Sequence, residues 1–283
     1  MTRDKPGASA PRAAAWAAVS AAMLGAPMAL AATCQVQSGA TVAPVVELYT
    51  SQGCSSCPPA DRWLSRLRPG STAPEGAVIQ AFHVAYWDYI GWPDPFAAPA
   101  HTARQRQIAA WNGLRSIYTP QVVLDGRDWR QWRNAPMPLA MAGRRAGASI
   151  RLVRGAPDRF DATVTLERGG PNAWAAYWTV TDSAHHTAVG AGENAGETLR
   201  NDHVVRQYTL AGHYRGQPGT PQPLVLHAVP AAAGHARTVN LVVFDPRNGD
   251  TVQAVSLACQ QQAPSPGAAA PTQPGTSAAQ TGV

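Results

Sequence analysis

Residues 45–61 read VVELYTSQGCSSCPPAD, and this stretch constrains the fold and chemistry of the chain more than any other. It begins as a short apolar run of β-formers, the pattern of a buried strand. A Ser-Gln-Gly turn follows and delivers Cys54 and Cys57, three residues apart. Residues 60–68 then carry helical spacing, with Trp63, Leu64 and Leu67 on one face and Asp61, Arg62, Ser65, Arg66 and Arg68 on the other. A Cys-x-x-Cys between strand and helix suits thiol–disulfide exchange. One thiol attacks a substrate disulfide, and the second is near enough to resolve the mixed disulfide. Pro58 and Pro59 disfavour helical angles at the residues before them, which sets the expected helix start at Pro59.

The N-terminus reads as an export signal over residues 1–32. Arg3, Lys5 and Arg12 are its basic region, residues 13–26 its apolar stretch, and Ala29-Leu30-Ala31 a small-residue cleavage site. The expected location is therefore periplasmic or secreted, with no stable membrane association once the signal is removed. Disulfides persist in that setting. The four cysteines pair most simply as Cys54–Cys57 for chemistry and Cys34–Cys259 as a structural staple. In the chain-entropy picture, closing so long a loop contributes on the order of 5 kcal/mol.

Composition excludes several classes. The formal charge is +6, and the arginines are scattered, which is no nucleic-acid footprint. The only lysine is Lys5, inside the leader, so lysine Schiff-base chemistry is excluded from the mature chain. No phosphate-cradling loop, Ser-His-Asp arrangement or dinucleotide fingerprint is visible, and no cofactor is expected. A single close cysteine pair argues against zinc. The oligomeric state is not encoded in any pattern we recognise.

Further along, residues 77–85 predict a second buried strand containing His83, and residues 98–111 a helix stopped by Asn112-Gly113. Strand 121–124, an Asp125-Gly126 hairpin turn, strand 127–132 and a helix at 136–146 follow. Residues 33–148 thus predict an α/β domain. From 149 to 260 the texture changes to period-two alternation with turns between, the pattern of antiparallel, sandwich-like strands. Residues 261–283 are rich in Ala, Pro, Gly, Gln, Ser and Thr and read as a disordered tail.

Among candidate site residues, Cys54 is the expected nucleophile, its thiolate favoured near a helix N-terminus. Glu47 lies mid-strand just before the cysteines, where a buried carboxylate could accept the proton of Cys57. His83 could shuttle protons, or simply be a hydrogen-bonded core histidine. Tyr86, Trp87, Tyr89, Trp92 and Phe96 could line a substrate groove or pack a loop over the sheet; Tyr86 and Trp87 are the expected substrate contacts. His185 and His186 are adjacent, so on a strand they face opposite sides and do not share a metal.

The motifs VVELYTSQGCSSCPPAD (45–61), HVAYWDYIGWPDPF (83–96), YTPQVVLDG (118–126) and VVFDPRNG (242–249) together resemble the bacterial DUF1223 family, exported thioredoxin-like proteins of unassigned function. The resemblance implies a thioredoxin-like fold and the Cys54–Cys57 pair. It also implies a cis Thr119-Pro120 bond before the third strand, lying against the cysteines and offering backbone to a substrate. The expected architecture is an α/β thioredoxin-like domain with a C-terminal antiparallel β-rich region. The expected activity is thiol–disulfide exchange with a protein thiol or disulfide partner. The alternative is a binding protein, for a metal such as copper or for a protein, in which the pair is a ligand or a structural bridge.

Overall fold

The strand β2 (Val45–Thr50) is buried at every position, with a charged residue, Glu47, in its middle. A computed structural model of the protein describes residues 1–2, 34–71, 73, 75–134 and 143–259. The expected leader, most of the expected helix at 136–146 and the expected tail fall outside them. Contacts divide the chain into residues 1–32 and 33–283, and every described strand and helix lies in the second unit.

β2 pairs in parallel with β3 (Val78–His83) and antiparallel with β4 (Gln121–Leu124). β4 turns back into the two-residue β5 (Arg127–Asp128). The turn uses positive φ at both Asp125 (50°) and Gly126 (82°), the geometry that matches hairpin twist. A Cβ on Gly126 would strike the Gly249 carbonyl, so this turn also needs glycine for close approach. The run expected as a strand over 127–132 keeps pairing only through Asp128 and then becomes a 3-10 turn, η2 (Arg130–Arg133).

On the other side of β3 lies β11 (Val204–Arg215), which carries β8 (Ala173–Asp182), β13 (Arg237–Phe244) and β14 (Thr251–Ala258) into the same sheet. The result is one eight-stranded sheet in the order β14-β13-β8-β11-β3-β2-β4-β5. A second sheet, of β1 (Gln35–Gln37), β6 (Ala148–Ala156), β7 (Arg159–Leu166) and β12 (Pro221–His227), supplies Ile150, Leu152, Phe160 and Val164 to a core shared with Trp174, Trp178 and Leu241 of the large one. β9 (His185–Ala188) and β10 (Thr198–Asn201) form a separate hairpin. Cys34 and Cys259 are disulfide-bonded and tie the start of the first strand to the end of the last.

This corrects the expectation of an α/β thioredoxin-like fold. The described residues hold fourteen strands against two α-helices, α1 (Pro58–Leu64) and α2 (Pro99–Trp111), and the fold is β-rich. The buried strands and intervening helices of residues 33–148 suggested a sheet with helices packed on it. Here long antiparallel strands from residues beyond 148 extend that sheet past β3 instead. Nothing local in β3 announces the neighbour, because the pairing joins residues more than a hundred positions apart.

The carboxylate in β2 is satisfied across this junction. Arg104 of α2 contacts Glu47 through both Nε (2.9 Å) and Nη2 (2.5 Å), while the hydroxyls of Tyr49 and Tyr177 donate to it at 2.6 and 3.0 Å. The guanidinium lies 3.9 Å from the Tyr177 ring centroid. Burial disfavours the Arg104 cation, but the charge of Glu47 outweighs it and holds the arginine well above its usual value. Removing the cation alone should leave Glu47 buried and uncompensated. Arg104→Met is expected to lower unfolding stability by about 3–5 kcal/mol. The double variant Glu47→Gln/Arg104→Met should recover most of that loss in denaturant titration.

Candidate functional site

The turn before the cysteines is built by polar anchors. β2 ends at Thr50, and a 3.2 Å bond from Cys54 N to Ser51 O closes the first bend. Cys57 N then donates to Cys54 O at 3.1 Å. Cys57 takes right-handed helical angles despite the proline after it, so α1 begins at Pro58, one residue earlier than expected. The two prolines sit at the helix start, where a missing N–H costs no intrahelical bond. Cys54 and Cys57 form a disulfide.

Both cysteines are nearly sealed, at 1% and 0% exposure. Trp87 and Ile90, from the 3-10 segment η1 (Ala85–Ile90), lie over Gly53, where a Cβ would meet the Ile90 side chain at 3.3 Å. The loop between β9 and β10 closes another side. Asn194 Nδ2 donates to the carbonyls of Gln52 (2.8 Å) and Cys54 (3.0 Å), and Glu193 accepts from Ser55 N at 2.8 Å. The Gln52 side chain meets Thr187, Asn201 and Trp92. Apart from Trp92, these contacts come from the C-terminal half of the chain, and no spacing in the sequence pointed to them.

The Thr119-Pro120 bond is cis. Thr119 Oγ1 donates to Cys54 Sγ at 3.3 Å and accepts from Trp87 Nε1 at 2.7 Å. The structure therefore brings Thr119 and Trp87 to the pair, with Pro120 next in the chain; Tyr86 packs at 6.4 Å from Trp87. Ser56 Oγ is also 3.3 Å from Cys54 Sγ.

Glu47 is not brought to the pair. Val46 and Leu48 share a cluster with Ala60 and Leu64 of α1, whereas Val45 and Tyr49 point into other clusters. Period two places Glu47 with the latter, on the face away from α1 and committed to Arg104. The buried acid on the cysteine side is Asp61. It follows Cys57 by four residues, one helical turn, and helical side chains lean toward the N-terminus, that is toward Cys57. Thr50 Oγ1 donates to its Oδ2 at 3.0 Å. Burial raises Asp61 from 3.8 to about 6, partly opposed by the charge of His83 and the Thr50 bond.

His83 stands behind this acid. Its Nδ1 lies 2.7 Å from Asp94 Oδ2, which also accepts from Gln52 N at 2.8 Å, so the His83–Asp94 pair helps hold the turn before the cysteines. Burial disfavours the imidazolium, but Asp94 and Asp61 outweigh it and raise His83. Burial likewise opposes the Asp94 carboxylate, yet His83 and the bonds from Gln52 and Phe96 bring it below its ordinary value. His83 Nε2 is buried with no hydrogen-bond partner. His185 and His186 face opposite ways, as alternation requires: His185 is buried, 2.6 Å from Asp182, and His186 is exposed. Among the described residues, no group of three His, Cys, Asp or Glu side chains is placed to hold a metal ion. No helix among them is long and apolar enough to cross a membrane.

A family model described as a protein of unknown function (DUF1223) matches residues 45–244. Among solved structures, the crystal structure of protein AGR_C_4864 from Agrobacterium tumefaciens is similar, with a TM-score of 0.56 and 24% identity, over 80% of this chain and 99% of that one. At that identity the likeness concerns the fold. No curated protein matches the chain.

The raised value of Asp61 has a definite sign. The folded state holds this proton more tightly than the unfolded chain, so the carboxyl contributes stability in full below 3.8 and loses it as the pH rises through about 6. The loss is on the order of 3 kcal/mol. Asp61→Asn, with no charge to bury, should be more stable than the native protein at pH 7.5. It should also lose most of the decline between pH 4 and 6 in urea unfolding followed across that range.

Proposed function

The chain belongs to the DUF1223 family, whose function is unknown, and we propose that it is an exported thiol–disulfide oxidoreductase acting through Cys54 and Cys57. The observation that carries this reading is the surroundings of Cys54 Sγ. Two hydroxyls, Thr119 Oγ1 and Ser56 Oγ, lie at hydrogen-bond distance from it, and a buried acid follows the second cysteine by one helical turn. A bridge that only stapled the chain would need neither. The leader-like N-terminus and the Cys34–Cys259 bond support an oxidising compartment.

In the reducing direction, the Cys54 thiolate attacks one sulfur of a substrate disulfide. A Cys54–substrate disulfide forms and the other substrate sulfur leaves as a thiolate. Cys57 passes its proton to Asp61 and attacks Cys54 Sγ, which releases the second substrate thiolate and regenerates the Cys54–Cys57 bond. Oxidation of a dithiol partner is the same sequence reversed. Thr119 and Ser56 donate to sulfur as it gains negative charge, and Asp61 serves as general base.

The test is the exchange of the pair in the folded protein. In thiol redox buffers, two cysteines per chain should become alkylatable without unfolding, and Cys54→Ser should abolish turnover. Asp61→Asn should slow resolution of a Cys54 mixed disulfide by about 10²-fold at pH 7 and remove the inflection near pH 6 from its rate profile. A pair that becomes alkylatable only on unfolding would show the bridge to be structural.

A further inference from the structure

Cys54 is sealed by η1 and the residue 189–197 loop, so the direction from which a partner can approach is itself informative. A cavity of about 410 Å³ is lined by Ser56, Tyr118, Thr119, Pro120, Arg130, Trp132 and Arg133. Ser56 and Thr119 are the two residues whose hydroxyls touch Cys54 Sγ, so the cavity opens beside the nucleophile. Its size suits a ligand of a few residues.

Its far wall is cationic. Arg130 is paired with Asp128 at 2.9 Å, and Asp128 also accepts from Tyr118 and Gln121. Arg133 is exposed, 4.9 Å over the Trp132 ring, with no carboxylate partner among the described residues. The residues that follow it directly, 135–142, include no acid in the sequence. Of the two guanidiniums, Arg133 is thus the one with no carboxylate partner among the described residues, and it lies over a buried tryptophan.

We infer that this cavity is the entry for small anionic thiols and disulfides, with Arg133 as the residue that selects their charge. The inference rests on the redox reading of Cys54 and names its substrate class. The cavity is lined by the two residues whose hydroxyls contact Cys54 Sγ, and Cys54 itself is only 1% exposed, so a thin group can reach the sulfur more readily than a flat protein surface can. A carboxylate on that group meets Arg133. Starting from the disulfide form, a small thiolate attacks Cys54 Sγ, forms a mixed disulfide and displaces Cys57 as a thiolate, which takes up a proton. A second thiolate attacks the small-molecule sulfur of the mixed disulfide. The products are the protein dithiol and one small disulfide from two thiols.

The experiment compares reduction of the Cys54–Cys57 bond in the intact protein by glutathione, an anionic tripeptide thiol, and by neutral 2-mercaptoethanol. In Arg133→Gln the glutathione rate should fall about two- to fivefold, the range of exposed ion pairs. The mercaptoethanol rate should not change. Added salt should slow glutathione reduction in the native protein and in Arg133→Lys, and should have little effect on Arg133→Gln. Equal effects of the substitution on both thiols, or none on either, would overturn the inference while leaving the redox reading intact. If neither thiol reduces the pair in the folded protein, both fall together.

Discussion

The buried ion pair of Glu47 and Arg104 is the constraint around which the rest of the molecule is arranged. A carboxylate at the centre of a fully buried strand needs a cation and further donors, or it stays protonated. Arg104 reaches it from α2, Tyr49 from the same strand and Tyr177 from β8. Burial and the charge of Glu47 hold the Tyr49 phenol well above its usual value, so it remains a donor. Next to the carboxylate, Gln80 of β3 donates to the Tyr177 hydroxyl and accepts from Thr179. One polar cluster thereby joins the strands that lead to the cysteines with strands from beyond residue 148.

The same joining shapes the site. With β11 fixed beside β3 and β8 beside β11, the β9–β10 hairpin that lies between β8 and β11 in the chain is delivered over the cysteine turn. Asn194 then holds the Gln52 and Cys54 carbonyls, while the His83–Asp94 pair holds Gln52 N from the other side. The disulfide is consequently enclosed on the sides of η1 and the hairpin and approached through the cavity at Ser56 and Thr119. Access, more than the presence of the cysteines, separates a working redox pair from a staple.

How much of this was legible varies by element. The strand β2, its turn and the start of α1 were readable because apolar runs, Ser-Gln-Gly and paired prolines act locally. The Asp125-Gly126 turn was readable for the same reason. α2 was placed within a residue of its observed start, but the face it buries carries His101, Arg104 and Gln105, and no apolar stripe marked it. Glu47 was singled out rightly as a buried acid and assigned to the wrong face of its strand. Asp61 was read as part of the polar side of its helix, although its position four residues after Cys57 was a signal that could have marked it.

By itself, the sequence determined the cysteine chemistry available to this protein, the strand and helix that flank the pair, and its family, because these rest on contacts within a few residues or on motifs in fixed order. Only the tertiary structure decided that the sheet continues from β3 into β11 and the strands beyond it. It alone decided that Glu47 belongs to Arg104 and that Asn194 closes over the turn. Each of these depends on which surfaces meet after the chain has folded, and burial, not proximity in sequence, sets which polar groups must find one another.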